Sequence, residues 1–203
     1  MLTEDLSHML QRITCSDYNG KSFSDIIIKE HDQASTIKHV HIKNIDAGIQ
    51  KDWFSFDPDR GRKGGTITNI LSEAVNPNFV VGASIANLYH HKACDQIIVI
   101  NNNGKLHVIY VELKCGATGY SYQFKSSQCL LRYIVNICNL IGGKSFEVEK
   151  ERFIVFHAVS GLSNKTLSFQ SNIENIKKSN PERPHKIYVS GAIKEINFNS
   201  IYA

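Results

Sequence analysis

The chain has 203 residues, enough for one domain that buries roughly two-thirds of its unfolded surface without a disulfide or metal staple. An apolar fraction of 42% with 4 prolines excludes a disordered chain, and 23 basic against 19 acidic residues give a net charge of +4, too mild to announce a nucleic-acid binder. No apolar run reaches the ~18 residues of a membrane span, Glu4 and Asp5 leave no room for a signal region, and the 5 cysteines form no CxxC pair, so the expectation is a cytoplasmic protein with free thiols and no membrane partner.

In chain order, Leu2, Leu6, Met9 and Leu10 fall near helical spacing and predict a first helix. Ile26, Ile27 and Ile28 predict a short strand, and residues 37–45 a second, on which His39 and His41 alternate. No third ligand stands near them at zinc spacing. Residues 50–65 read as a loop, broken by Pro58, Gly61, Gly64 and Gly65. That loop carries Arg60, Arg62 and Lys63. Basic groups among glycines suit phosphate contacts, and a solvated basic loop is the plainer alternative.

Ile67, Ile70, Leu71, Ala74 and Val75 recur on one face of a helix that Asn76 and Pro77 end. A short strand at 79–82 follows. Strands at 95–100 and 106–114 flank the turn residues Asn101 to Gly104 and predict a hairpin. A long helix spans 122–141 and stops at Gly142 and Gly143. Residues 152–159 form a buried strand, 172–178 a short helix, and 186–190 and 193–198 two further strands. No internal repeat or proline-rich linker divides the chain, which is read as a single domain over 1–203.

The stretch from Asp95 to Lys114 carries the chemistry. Strand side chains alternate faces, so Glu112 and Lys114 point one way and Leu113 the other. The hairpin returns Asp95 to a place opposite residues 109–112. Two acids and a lysine thus converge at one end of a sheet. Such a group suits Mg²⁺, which takes carboxylate oxygens, keeps waters and accepts substrate phosphate; Mn²⁺ is its expected substitute. The Leu113 carbonyl is a further candidate ligand, and Lys114 stands ready to stabilise a hydroxide or the charge developing on phosphorus. The plain alternative is an ion pair on an edge strand, worth under ~1 kcal/mol if exposed. The apolar run LHVIYVELK argues for a central strand instead. His91 and Lys92, with His90, precede Asp95 and are candidates to line the same cleft. Cys94 and Cys115 flank the group and are expected to be small buried apolar residues.

Asp95 on one strand and Glu112-x-Lys114 on the next, in the order helix-strand-strand-strand-helix-strand, resemble the PD-(D/E)xK nuclease superfamily over about residues 66–159. Cys94 stands where the name-giving proline would be. The resemblance implies an α/β (α+β) fold with a restriction-endonuclease-like core: a mixed central β-sheet flanked by helices in the order αβββαβ. Residues 1–65 and 160–203 would be elaborations for recognition or dimerisation. It also implies an acid on the preceding helix, here Glu73, and a Gln or Lys on the following one, here Gln128 or Lys125, in a polar stripe with Arg132, Asn136 and Asn139. The implied activity is that of an Mg²⁺-dependent endonuclease acting on DNA, with RNA as the other substrate, in restriction, genome defence or DNA processing, and with a homodimer as the common assembly. Arg60, Arg62, Lys63, His91, Lys92, Lys125 and Arg132 would hold the phosphate backbone. The rival reading is a non-catalytic module that keeps the fold and binds nucleic acid or protein on the same surface.

Overall fold

The computed structural model describes residues 18–19, 25–30, 33–45, 52–58, 93–116, 118–158 and 169–202, and the account below concerns these. Its centre is a hairpin of β5 (Gln96–Asn102) and β6 (Lys105–Lys114). Asn103 (φ 55°) and Gly104 (φ 88°) turn it, and both take the left-handed backbone that a tight two-residue hairpin requires. The Asn101 side chain accepts the Gly104 N–H at 2.8 Å and fixes the turn. Gln96 then lies opposite Val111. The hairpin predicted from the Asn-Gly signal is present, with its register set by that turn.

β5 also pairs antiparallel with β4 (Asp52–Phe56), and β4 with the short β1 (Tyr18–Asn19). β4 corrects the expectation of a loop over residues 50–65. Trp53, Phe54, Ser55 and Phe56 are all fully buried, so a strand covered on both faces shows no alternation to read. The expected helix at 66–75 and strand at 79–82 lie outside the described residues.

After β6 the chain forms α1 (Ser121–Leu140) and returns as β7 (Glu147–His157), parallel to β6. A helical crossover is the usual way to join parallel neighbours. β7 starts five residues earlier than the buried run at 152 suggests; its polar first half pairs with the start of β6, where Lys105 meets Glu149 at 2.9 Å. α2 (Phe169–Lys177) and β8 (His185–Tyr188) follow, and β8 joins β7 in parallel. The six-stranded sheet has the order β1-β4-β5-β6-β7-β8.

A second sheet was not expected. β2 (Ile26–Lys29) pairs antiparallel with β3 (His39–Lys43), and β9 (Ile193–Asn197) pairs parallel with β3. The molecule is α+β in class, with two apolar layers. On one face of the large sheet Phe124, Leu131, Ile134, Val135 and Cys138 of α1 pack on Val108, Tyr110, Phe153 and Val155. Tyr110 stacks on Phe153 at 4.9 Å and Phe124 meets Phe153 edge-on at 5.3 Å, pairs of the kind worth ~0.5–1.5 kcal/mol each. On the other face the small sheet packs Ile26, Ile28, Val40 and Ile42 on Ile98, Val111, Leu113 and Phe156. No described helix is long and apolar enough to cross a membrane.

Candidate active site

The end of β6 carries the site. Leu113 turns into the second core layer, 1% exposed, which sends Glu112 and Lys114 to the α1 face. Glu112 is itself 1% exposed, and Lys114 Nζ sits 2.8 Å from its Oε1. Asp95, one residue before β5, accepts the Leu113 backbone N–H on Oδ2 at 2.6 Å. That bond ties the entry of β5 to the end of β6. The structure thus brings Asp95, Glu112, Leu113 and Lys114 together.

Burial and mutual repulsion set the electrostatics. Burial pushes the Glu112 carboxyl up to about 7, against the Lys114 ammonium and the Gln123 amide that favour its charge. Burial first, and then the Glu112 charge, push Asp95 well above the usual carboxylate range, against the Leu113 N–H and Lys114. For Lys114, burial lowers the pKa, but Glu112, Asp95 and Glu30 together raise it above that of an ordinary lysine. Lys114 is therefore a held cation and a donor, and its role as a proton acceptor is disfavoured.

One oxygen has no use within the fold. Glu112 Oε2 is buried and has no hydrogen-bond partner among the described residues, and neither has Gln123 Oε1 beside it. A buried polar atom without a partner costs roughly 1–3 kcal/mol, more if charged. Two neighbouring carboxylates and an orphaned carboxylate oxygen form a donor set that fits a hard divalent cation. Among the described residues, no group of three or more His, Cys, Asp or Glu side chains comes together as a complete metal cage. Two carboxylates, waters and a substrate phosphate are the usual partners of Mg²⁺, so the residues present fit that ion in its substrate-assisted mode.

The other expected site residues divide. Glu73, Arg60, Arg62, Lys63, His91 and Lys92 lie outside the described residues. Gln128 does not reach the site: its amide donates to Glu151 Oε2 at 3.0 Å, where Arg132 Nη2 also donates at 2.9 Å and Tyr110 donates to Oε1 at 3.0 Å. This group pins α1 to the middle of β7. Asn139 likewise bonds the Phe146 backbone. Lys125 pairs with Glu182 at 2.5 Å.

The helix residue that does meet the acid is Gln123, in the first turn of α1, whose Nε2 donates to Glu112 Oε1 at 2.5 Å. The polar stripe through 125, 128 and 132 is rotated away from the strand end, and one turn earlier was the place to look. Glu30 was also missed. It follows β2 in the small sheet, and its charge acts on Asp95, Glu112 and Lys114 together. Cys94 is buried as expected, its N–H donating to Ser127 Oγ at 2.9 Å. Cys115 is not. It is exposed, donates to Ser35 Oγ at 3.0 Å and accepts the Thr36 N–H at 3.3 Å, and these bonds hold its pKa below the usual thiol range.

No protein-family model, curated protein or solved structure matches this chain.

Proposed function

We propose that the protein is a divalent-metal-dependent nuclease of the PD-(D/E)xK type that hydrolyses phosphodiester bonds of DNA. The observation that carries this reading is the buried Glu112 Oε2, unpartnered beside Asp95 and opposite Lys114 at the end of a central strand. Asp95 and Glu112 would hold the ion, with the Leu113 carbonyl as a third candidate ligand. Bound Mg²⁺ supplies a water of lowered pKa and neutralises charge on the phosphate.

The remaining roles belong to the chain. Lys114 stays protonated under the pull of its three acidic neighbours, so it stabilises charge on the attacking oxygen or on phosphorus. Gln123 fixes the rotamer of Glu112 through its amide. The Asp95–Leu113 bond keeps the two acids at one level. Glu30 adds negative charge at the site, which strengthens cation binding. The restriction-endonuclease-like topology, the choice of DNA over RNA, the homodimer, the cytoplasmic setting and a restriction or DNA-processing role come from the resemblance of Asp95 and Glu112-x-Lys114.

The test is cleavage of linear, nicked and branched DNA with Mg²⁺, Mn²⁺ or EDTA. Lys114→Ala and Asp95→Ala should each lose on the order of 10²–10⁴ in rate. Wild type inactive with every metal and substrate would return the chain to the class of non-catalytic binding modules. Wild type active with both variants equally active would remove these residues from the site.

A further inference from the structure

Beside the acidic site lies a surface that the chemistry above does not use. Glu112 pairs in register with Val155 of β7, and Val155 with Lys186 of β8. One step further along the strands, Lys114 pairs with His157, and His157 with Tyr188. Two rows therefore run from the site to the edge of the large sheet, about 10 Å at two strand spacings. Tyr188 is 44% exposed, with its ring centroid 6.0 Å from that of His157. Lys186 Nζ lies 5.2 Å from the centre of the Tyr120 ring, at the start of α1. Tyr122, 50% exposed, follows, and Lys125 Nζ lies 5.9 Å from its ring. Tyrosines alternate with lysines around the mouth of the site.

We propose that this ladder holds single-stranded nucleic acid on its way to the Asp95–Glu112–Lys114 site, with bases stacked on Tyr122 and Tyr188 and the backbone held by Lys186 and Lys114. Exposed rings joined to ammonium groups are the recognition chemistry of unpaired strands: every base offers a π-face, and each phosphate a charge. A duplex hides its base faces and offers nothing to a tyrosine ring. A protein partner has less to gain here, since the exposed rings are interrupted by cations instead of forming one apolar patch. The inference rests on the nuclease reading for the identity of the polymer and on the surface itself for its strandedness.

Fluorescence anisotropy of the full chain in EDTA separates the two. The probes are a labelled oligothymidine and a hairpin duplex with the same number of phosphates. The single strand should bind at least about tenfold more tightly. Tyr122→Ala and Tyr188→Ala should each weaken it by roughly five- to a hundredfold, while Tyr188→Phe stays within about twofold of wild type. Lys186→Gln should flatten the dependence of log K on log salt by about 0.7. Equal or tighter duplex binding, or alanine variants that bind as wild type does, would overturn the proposal. So would sedimentation that shows a dimer lost on Tyr188→Ala. Tyrosine-dependent single-strand binding without cleavage under any metal keeps this inference and sinks the nuclease; cleavage confined to duplex does the reverse.

Discussion

Glu112→Gln should make the protein more stable, and only at neutral and alkaline pH. Glutamine copies the protonated acid in shape and leaves no charge to bury. The carboxyl titrates near 4.5 in the unfolded chain and at about 7 in the fold. Between those values the native state binds a proton that the unfolded state has released, so stability falls as pH rises through that window. At about 1.4 kcal/mol per pH unit the loss is ~3 kcal/mol, complete above pH 7 and absent below 4.5. Asp95, raised by the same burial and repulsion, adds a loss of the same sign. The variant escapes the Glu112 share. For a chain of this size ~3 kcal/mol corresponds to about 6–12 °C in Tm. Differential scanning calorimetry in EDTA at pH 5 and pH 8 reads it directly: the two proteins should melt together at pH 5 and apart at pH 8, the variant higher. Mg²⁺ at a hundred times its Kd should then raise the wild type at pH 8 by ~2.7 kcal/mol and leave the variant where it is. A variant no more stable than wild type at pH 8, or a gap that does not change with pH, would refute the picture of a carboxylate held at an electrostatic cost.

Three further outcomes follow from contacts described above. Gln123→Ala should slow cleavage while Gln128→Ala leaves the rate intact and lowers the urea midpoint by ~1 kcal/mol equivalent, since only the former touches Glu112. Ser127→Ala should cost about 1–3 kcal/mol in urea unfolding, because it strips the acceptor from the buried Cys94 N–H. Tyr202→Phe removes the hydroxyl that bonds His107 Nδ1 at 2.8 Å and should lower Tm by about 2–4 °C.

What could be read in advance was what the chain decides locally. Asn101 to Gly104 fix a two-residue turn, the turn fixes a register, and the register puts Asp95 beside the end of β6. Alternation then sorts Glu112 and Lys114 from Leu113. The phase of α1 against the sheet was beyond reach: a polar stripe at 125, 128 and 132 looks the same whether it faces strand ends or, as it does, Glu151 and Glu182. β4 was hidden because Trp53 to Phe56 are covered from both sides and carry no period. Glu30 was hidden because it belongs to a sheet held by a pairing between distant parts of the chain, and spacing carries no record of that.

The parallel pairing of β3 with β9 bears on the order in which the molecule assembles. On the ribosome the β2–β3 hairpin emerges early, and one edge of β3 stays bare until the strand at residues 193–197 is made. Sheets closed by such distant partners have high contact order and fold slowly, in milliseconds to seconds. A waiting edge is also where two nascent chains can join. Glu30 sits at the end of β2, so its charge reaches the acidic site only after that last strand docks. A chain shortened before β9 would keep the Asn103–Gly104 hairpin, and with it the Asp95–Glu112 pair, yet lack the outer layer that excludes water from Leu113 and the strand end. The final strand thereby acts as a check on completeness: the cation-binding end of β6 matures only on chains synthesised nearly to their last residue.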